Sequence, residues 1–397
     1  MAGPLEGIKI ADLTAYISGA YATVLLADLG AEVVKVESFD GDGFRTYAAP
    51  FLAWNRGKRA IILNLQEKDG KEAFYRMVRK SDVVIENSRP GLTKRLGTDY
   101  ETIRKIKEDI VYVSLTGWGT SGPHGKAPAW DPLVQGYSGE MKTMGGYDQP
   151  PLFHKVCIND YQCAMCGTMA VVFGIYHKLH TGKGQMLSSS LVNAAAYHMA
   201  GFFADYHKRP LADVGGDRIK GVNPAQRIYE TKDGYILVDC HYAQQWTALC
   251  SLVGRPDLAQ RFTFSEVTAR SAYDYEIVSA IQGVFKRKTS AEWFPLLSKA
   301  GVPTAPDREI MDLLEDPHIE ANNWVRTWEQ KRRGETKQLV SVLNYSDTPT
   351  VAQGPAPIHG EHTVEVMKEL GYTQEQINDM LARKVIGQQG LNIVNEL

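Results

Sequence analysis

Short hydrophobic runs alternate with amphipathic stretches along the first 120 residues of the chain. Runs rich in β-branched residues predict strands, and apolar residues three and four positions apart predict helices. Because parallel neighbours need a long crossover, the alternation predicts a helix-covered parallel sheet of the doubly wound type, with its ligand site beyond the carboxyl ends of the strands. The predicted strands are Gly7–Leu13, Glu32–Glu37, Ala60–Leu65, Asp82–Glu86 and Ile110–Leu115, and the predicted helices are Gly19–Leu29, Lys68–Lys80 and Leu92–Lys107.

The pattern changes after residue 115. Thr116–Lys155 is rich in glycine and proline, and it predicts a long functional loop in which Gly139, Gly145 and Gly146 give mobility. The polar, glycine-containing stretch Lys208–Asn223 predicts a linker ahead of a second unit. Further predicted helices are Tyr161–His180, Ser188–Tyr206, Ala243–Leu252, Asp274–Phe285, His362–Leu370 and Thr373–Arg383, and further predicted strands are Gly234–Asp239, Trp324–Lys331 and Gln338–Asn344.

Composition narrows the class of protein. The 397 residues carry 44 Lys and Arg against 46 Asp and Glu, without the excess of basic charge that nucleic-acid-binding proteins show. No apolar run reaches the roughly 18 residues of a transmembrane helix, and the first residues lack a signal-peptide pattern. Five cysteines, an odd number, fit reduced thiols better than a disulfide framework. We therefore expect a cytoplasmic enzyme that binds neither nucleic acid nor membrane.

Several cofactor and catalytic motifs are missing. The turn after the first strand has one glycine, Gly19, in place of G-x-G-x-x-G, which argues against a nicotinamide or flavin site. The phosphate-binding loop G-x-x-x-x-G-K-[ST] and the G-x-S-x-G elbow of serine hydrolases are also absent. Cys163 and Cys166 have no matching second pair, so we interpret them as structural residues and expect no metal site.

Asp160 is the acid with the most chemical interest, because it immediately precedes the longest apolar helix pattern. One interpretation is an N-cap, since Asp is a preferred acceptor for the free amides of a helix start. The other is a poised carboxylate, which can act as a covalent nucleophile toward an activated acyl group. Local sequence leaves both open.

A series of motifs runs through nearly the whole chain in a specific order. They are Leu5–Leu13, Leu26–Glu37, Asn55–Arg59, Asp82–Gly91, Ser114–Gly119 with Gly122 and Pro123, Thr181–Gln185, Gly301–Pro306, Asp316–His318 and Gly360–Thr363. In order and spacing the chain resembles the class III coenzyme A transferases, which include formyl-CoA:oxalate and carnitine CoA-transferases and, as a branch, the α-methylacyl-CoA racemases.

The resemblance implies a ping-pong CoA-transferase with Asp160 as nucleophile. The carboxylate attacks a donor acyl-CoA to form a mixed anhydride, then an aspartyl-CoA thioester, and an incoming carboxylate reverses the exchange. Acyl-CoA donor and carboxylate acceptor are the implied substrates, coenzyme A is a substrate and not a resident cofactor, and no metal takes part.

CoA contacts follow from the same resemblance. Asn87 matches the family's Asn-Phe-x-Pro-Gly turn, although Ser88 replaces the aromatic residue. Arg95 fits a position that meets a CoA phosphate, and Lys68 is the nearest substitute for a family lysine. Tyr16 and Ile17 occupy the turn that lines the pantetheine and the active site in the family.

Other positions bear on the substrate. The racemase branch has a histidine where this chain has Trp130, just before Asp131, which speaks against racemisation. Trp130, Gly139 and Gly145 are expected to line the active site. The Gly-Gly-Gly-Gln run of formyl-CoA transferases is missing, so we expect an acceptor larger than oxalate. An aromatic or quaternary-ammonium acid would suit the aromatic residues Tyr16, Trp54, Trp118, Trp130, Tyr137 and Phe153, and core packing explains them equally well.

The family fold implies a large doubly wound, Rossmann-like domain of residues 1–207 and 325–397, a linker 208–223 and a smaller α/β domain 224–324. It also implies an interlaced homodimer. Two alternatives to a CoA-transferase remain beside the acyl-CoA racemase: a catalytically silent CoA-binding subunit of a hetero-oligomer, and a dinucleotide oxidoreductase.

Overall fold

The computed structural model describes residues 3–146, 149–208, 220–268, 274–340, 343–350 and 352–388. The strands are β1 (Lys9–Asp12), β2 (Glu32–Glu37), β3 (Arg59–Leu63), β4 (Val83–Glu86), β5 (Val111–Thr116), β6 (Met186–Ser190), β7 (Gly221–Asn223), β8 (Gln226–Glu230), β9 (Tyr235–Asp239), β10 (Thr304–Pro306), β11 (Val325–Gln330), β12 (Gly334–Leu339) and β13 (Ile386–Gly387). The helices are α1 (Tyr16–Asp28), α2 (Ala48–Asn55), α3 (Lys68–Lys80), α4 (Leu92–Leu96), α5 (Tyr100–Ile106), α6 (Asp131–Ser138), α7 (Glu140–Gly145), α8 (Ile158–Thr181), α9 (Leu191–His198), α10 (Ala243–Leu252), α11 (Pro256–Arg261), α12 (Phe264–Thr268), α13 (Asp274–Phe285), α14 (Ser290–Lys299), α15 (Pro317–Ala321), α16 (Thr363–Glu369) and α17 (Gln374–Ala382).

Seven strands of the described residues form one sheet in the order β13-β3-β2-β1-β4-β5-β6. Strands β1 to β6 are parallel to their neighbours, and β13 pairs antiparallel with β3 at one edge. The strand order changes direction between β1 and β4, as in doubly wound sheets. The predicted fold class, an α/β protein with a large parallel sheet, is confirmed.

The two faces of this sheet have separate cores. Successive strand residues point to opposite faces, so Val33 and Val34 of β2 belong to different clusters. One cluster packs α3, α5, α16 and α17 against the sheet, and the other packs α1, α6, α8 and α9. Helices from both ends of the chain therefore cover the same sheet.

Small residues bring α1 and α8 close together. A Cβ atom on Gly167 of α8 would lie 2.8 Å from the side chain of Leu115 and 3.3 Å from that of Ala22 in α1. The hydroxyl of Thr168 donates to the carbonyl of Ala22 at 3.2 Å. This packing sets the start of α8 relative to the first turn of α1, which matters for the site below.

The described residues divide into two compact units. In the second unit, β10-β9-β8-β7 form an antiparallel sheet around a separate core, in which the rings of Tyr229 and Phe285 stack at 4.8 Å. The first unit comprises the described parts of Met1–Ser138, Phe153–Asp205 and Asp316–Leu397, and the second those of Gly139–Leu152 and Tyr206–Glu315.

The predicted domain limits, 1–207 with 325–397 and 224–324, stay predictions. Most of the predicted linker 208–223 lies outside the described residues, and Gly221–Asn223 at its end forms β7.

Three predicted elements are wrong in detail. The single helix predicted over Leu92–Lys107 is two helices, because Gly97 adopts a left-handed conformation (φ 73°) and Asp99 caps a new start at α5. The helix predicted over Ser188–Tyr206 is preceded by strand β6, and Ser190 caps the shorter helix α9. The loop predicted over Thr116–Lys155 contains helices α6 and α7.

Two predictions on the cysteines and the membrane can be compared with the structure. All five cysteines are free thiols, as the sequence predicts. Among the described residues, no helix combines the length and the apolar character that crossing a membrane requires.

Candidate active site

A cavity of about 870 Å³ lies in the first unit, where the parallel strands end. The segments that follow β1, β2, β3, β4 and β5 all contribute residues to its wall, which is the edge of the sheet where the ligand site is predicted. Helices α6 and α8 contribute the residues at their N-terminal ends. Ligand cavities of this size hold drug-sized or cofactor-sized molecules.

The turn between β1 and α1 projects into this cavity. Tyr16 adopts the left-handed region (φ 59°), which is unfavourable for a residue with a Cβ atom and is maintained by the surroundings. The side chain of Asn87 accepts from the backbone N–H of Ala15 at 2.9 Å and donates to its carbonyl at 2.6 Å. Asp42 accepts from the N–H of Tyr16 at 3.3 Å. Residues after β4 and β2 thus cap a helix that has no capping side chain of its own.

Buried charges beneath the turn hold it in place. Lys35 is fully buried, donates to the carbonyl of Thr14 at 2.7 Å and pairs with Asp42 at 2.9 Å. Arg45 binds both carboxylate oxygens of Glu37, at 2.7 and 2.6 Å. Burial raises the pKa of Glu37 and of Asp42, but their cations and hydrogen bonds outweigh burial and leave both pKa values low. These carboxylates are therefore ionised.

A third ion pair extends the same network. Lys58 lies 3.4 Å from Asp12 and also donates to Asn55 at 2.8 Å. Asp12 accepts further hydrogen bonds from Thr14 and Thr23. We call the six charged residues Asp12, Lys35, Glu37, Asp42, Arg45 and Lys58 the paired cluster. Burial lowers the pKa of Lys58 to about 7, more than the attraction of Asp12 raises it.

Asp160 faces the same turn from the first turn of α8. The N-cap of α8 is Cys157, so Asp160 does not cap its own helix. Its carboxylate instead faces Ser18 in the first turn of α1, whose hydroxyl and backbone N–H lower the pKa of Asp160. The N-terminus of a helix favours an anion there. The N-cap interpretation of Asp160 is therefore wrong, and the Asp160 side chain lines the cavity.

A second acid lies beside Asp160. Asp131, the first residue of α6, is buried and accepts from the backbone N–H of Asp160 at 2.9 Å. Burial raises the pKa of Asp160 to about 7, with the charge of Asp131 as the second cause and the hydrogen bonds from Ser18 as a partial offset. We call Asp131 and Asp160 the acid pair. A carboxylate with a pKa near neutrality is strongly basic for its type, which suits a nucleophile.

Cys157 completes this end of the cavity. Its thiol and the carboxylates of the acid pair have atoms within 4.8 Å of one another, a spacing that a metal ion could bridge. Both oxygens of Asp131 already accept hydrogen bonds, from the backbone N–H of Asp160 and from the side-chain amide of Gln135. The group is thus arranged for hydrogen bonding. Burial, Asp131 and Asp160 raise the pKa of the Cys157 thiol to about 11, so it is protonated at pH 7.

Aromatic side chains form another part of the wall. The rings of Tyr16 and Trp130 meet edge to face at 5.0 Å, and Tyr16 contacts Phe44 in the same way at 5.8 Å. Tyr16 is 41% exposed and Trp130 is 45% exposed, so both offer ring surface to a ligand. Trp54 is buried behind Phe44.

The cavity brings together most of the residues predicted for the site. Lys68 is exposed at the start of α3 and is not among the lining residues. Gly139 and Gly145 belong to the second unit, and Gly145 has no room for a Cβ atom, which would lie 2.2 Å from the carbonyl of Pro150. The predicted residues that line the cavity are Tyr16, Ile17, Asn87, Arg95, Trp130 and Asp160.

Sequence reasoning missed several contributors. Ser18 and Asp42 lie close to predicted residues, but only the folded chain places them against Asp160 and Tyr16. Arg89 lines the cavity beside Arg95, and neither arginine forms an ion pair within the described residues. Two unpaired arginines on one wall are suited to a phosphate-bearing ligand.

Comparison with known proteins identifies the family of this chain. A model of CoA-transferase family III matches residues 5–363. The chain belongs to this family. It is 30% identical to human succinyl-CoA:glutarate CoA-transferase over 396 residues, covering 97% of this chain and 90% of that protein. It is 32% identical to acetyl-CoA:oxalate CoA-transferase of Acetobacter aceti, covering 81% of this chain and 85% of that protein.

A solved structure shares the fold. The CAIB/BAIF family protein from Brucella suis superimposes with a TM-score of 0.83 at 28% identity, covering 93% of this chain and 100% of that one. The resemblance to class III CoA-transferases and the predicted enzyme class, a CoA-transferase, are confirmed.

Proposed function

We propose that this family member moves CoA from an acyl-CoA donor to a carboxylic acid through covalent intermediates on Asp160. The observation that carries the proposal is the position of Asp160: its carboxylate lines the cavity at the strand ends, its backbone N–H is held by Asp131, and its pKa is raised to about 7. A carboxylate attacks a thioester only when it is held close and poorly solvated, and the partial burial of Asp160 on the cavity wall supports this role.

The reaction proceeds by two reversible exchanges. An Asp160 oxygen bonds to the thioester carbon of the donor, and the C–S bond breaks. CoA leaves as a thiolate, and the donor acyl group remains on Asp160 as a mixed anhydride. The thiolate attacks the Asp160 carbonyl carbon, the donor acid leaves as a carboxylate, and an aspartyl-CoA thioester remains. The acceptor carboxylate attacks the carbonyl carbon of this thioester and releases the CoA thiolate, which leaves a second mixed anhydride on Asp160. The thiolate attacks the acceptor carbonyl carbon of that anhydride, the new acyl-CoA forms, and Asp160 leaves as a carboxylate.

Cations on the cavity wall support a site for CoA. Arg89 and Arg95 can meet its phosphates, as fixed, fork-shaped donors do. Asn87, Tyr16 and Ile17 shape the wall next to them, and Asn87 acts by holding the backbone of Ala15. Lys68 stays a candidate contact outside the described lining.

The acceptor is proposed to be larger than oxalate. The exposed rings of Tyr16 and Trp130 favour an acid that carries an apolar or aromatic group. Rates with oxalate, glutarate and phenylacetate under one donor, succinyl-CoA, test this proposal. The highest kcat/KM for oxalate would contradict it.

Mass spectrometry tests the covalent mechanism. Tryptic cleavage yields the peptide 156–178, which contains Asp160 together with Cys157, Cys163 and Cys166. After mixing with succinyl-CoA, an aspartyl-CoA thioester adds the mass of CoA minus water, whereas acylation of a thiol adds only the acyl group. A reductant removes CoA bound as a mixed disulfide. We expect the CoA-minus-water adduct in the wild type and its loss in Asp160→Ala.

A matched control separates the neighbouring nucleophile. Cys157→Ser keeps the size of the side chain and removes the thiol, and we expect the adduct to persist because the thiol is protonated. CoA binding without adduct or turnover would favour the silent-subunit alternative. Exchange of the α-proton for deuterium without an adduct would favour the racemase.

We propose that the protein assembles as an interlaced homodimer. An apolar stripe along α8 supports this, with Met169, Phe173 and Tyr176 between 47 and 62% exposed. Large exposed apolar patches mark association sites. Light scattering with size-exclusion chromatography is expected to show a dimer in the wild type and a monomer in Phe173→Asp. A monomeric wild type would refute the proposal.

The cytoplasm is the proposed location. The five free cysteines support it, because thiols persist in reducing compartments. Fluorescence of a tagged full-length chain outside the cytoplasm would contradict it.

A further inference from the structure

Asp131 is oriented at both of its carboxylate oxygens. One oxygen accepts from the backbone N–H of Asp160 at 2.9 Å, and the other accepts from the side-chain amide of Gln135. Gln135 is fully buried and is held in turn by the backbone of His154, to which it donates at 3.1 Å and from which it accepts at 3.2 Å. No ion pair of Asp131 occurs in the described ranges. An acid is thus fixed next to Asp160 without a cation.

We propose that Asp131 is a positioning residue for Asp160 and that its negative charge favours acylation of Asp160. The inference rests on the proposed function of Asp160 as the nucleophile. The backbone hydrogen bond orients the first turn of α8, and the charge acts across less than 4.8 Å. Two like charges at this distance raise the energy of the doubly ionised pair.

Acylation relieves this repulsion. When an Asp160 oxygen bonds to the thioester carbon and the C–S bond breaks, the negative charge leaves with the CoA thiolate and Asp160 becomes a neutral anhydride. The same relief applies to the aspartyl-CoA thioester, in which the Asp160 acyl group is also neutral. Only the free carboxylate is opposed by Asp131. The repulsion therefore destabilises the resting enzyme relative to both covalent intermediates.

The other groups around Asp160 do not supply a competing charge. The titratable ones have raised pKa values, through burial first, and are neutral at pH 7. The charge of Asp131 is therefore the term that a substitution can isolate. The neighbours are Cys157, Tyr161 and Cys163 at the start of α8, Ser18 of α1, Leu115 of β5 and Leu191 of α9.

Asp131→Asn tests the charge, since asparagine keeps an acceptor oxygen for the N–H of Asp160. Formation of the CoA-minus-water adduct on peptide 156–178 is followed from pH 5 to 9 after mixing with succinyl-CoA. In the wild type we expect adduct formation to decline as pH falls below about 7, and we call this decline the acid limb. In Asp131→Asn the acid limb should lie lower by roughly one pH unit or more. At pH 8 the amount of adduct in Asp131→Asn is expected to be about tenfold lower than in the wild type, which is the equilibrium equivalent of one pKa unit.

Two further variants complete the experiment. Glu101→Gln removes a carboxylate from the exposed surface of α5 and is expected to leave limb and adduct unchanged. Gln135→Leu keeps the charge of Asp131 but loosens its orientation, so the rate should fall while the limb stays near pH 7. An unchanged limb in a folded Asp131→Asn protein overturns the role of the charge, and an unchanged rate in Gln135→Leu overturns the role in positioning. Absence of any adduct in the wild type instead refutes the proposed function.

Discussion

The paired cluster and the acid pair lie on two sides of the same turn of the first unit, and their charges are arranged in opposite ways. In the paired cluster every carboxylate contacts a buried lysine or arginine, and the pKa values of Glu37 and Asp42 stay low against the effect of burial. In the acid pair, neutral donors take the place of cations, and the pKa of Asp160 is raised.

This difference indicates that the paired cluster stabilises the turn, whereas the acid pair is suited to chemistry. Balanced charges hold the turn after β1, including the left-handed Tyr16, in a single conformation. Unbalanced charges store free energy at Asp160, the proposed nucleophile. Strongly perturbed carboxylates concentrate at functional sites for this reason.

The largest effect is expected from breaking a pair in the paired cluster. Arg45→Met leaves the carboxylate of Glu37 buried without its bidentate partner and the carbonyl of Pro357 without its donor. Loss of one partner of a buried ion pair lowers the free energy of unfolding by about 3–5 kcal/mol. Urea unfolding measures the loss.

The control for this prediction is an exposed pair in the second unit. Arg261→Met removes the contact between Arg261 and Glu276, which lie in solvent, and should lower stability by less than about 1 kcal/mol. Equal losses in the two variants would mean that the paired cluster adds nothing beyond a surface ion pair.

Removing a charge from the acid pair should have the opposite effect and raise the free energy of unfolding. The pKa of Asp160 is about 7 in the folded chain and about 4 in the unfolded chain, so the folded state binds more protons between these pH values. Stability is therefore lost as pH rises from about 4 to 7. Asp160→Asn removes this loss and should be more stable than the wild type by about 2–4 kcal/mol at pH 8, with no such gain at pH 4. Urea unfolding at both pH values measures it, and a destabilised variant at pH 8 would contradict stored repulsion.

The sequence predicts the sheet well because strand patterns are local. The five predicted strands of the first 120 residues overlap β1 to β5, and helix α3 is predicted at Lys68–Lys80 as observed. Strand β6 is not predicted, because its serines resemble a helix start. Pairing with β5 determines its structure. Here a tertiary contact overrides local preference.

The candidate site likewise contains residues that local sequence predicts and residues that only tertiary contacts bring together. Asp160 and Asn87 can be found through ordered motifs, but the partners of Asp160 depend on how helices pack. Ser18 reaches it because Gly167 lets α8 approach the sheet and α1, and Asp131 reaches it from a segment predicted as loop. Contacts between residues distant in the chain carry no signal in one sequence.

Lys58 gives a smaller, pH-dependent test within the paired cluster. Its pKa is about 7 when folded and near 10.4 when unfolded, so the unfolded chain binds more protons above pH 7 and stability rises with pH there. Lys58→Met lacks this gain. Its deficit relative to the wild type should grow by about 1 kcal/mol between pH 6 and 8. A deficit that stays constant in urea unfolding would show that Lys58 is charged throughout.

The smallest expected effect comes from the donor side of the acid pair. Ser18→Ala removes the hydroxyl and keeps the backbone N–H, so one of the two groups of this residue that lower the pKa of Asp160 is lost. The acid limb of adduct formation should move up by less than about one pH unit, because a hydrogen bond to the charged form lowers the pKa of a carboxyl. Thr168→Ala is the control, since it removes a hydroxyl between the same two helices without touching Asp160. Asp131→Asn should shift the limb down and Ser18→Ala should shift it up, whereas a general loosening of the site would move both in one direction.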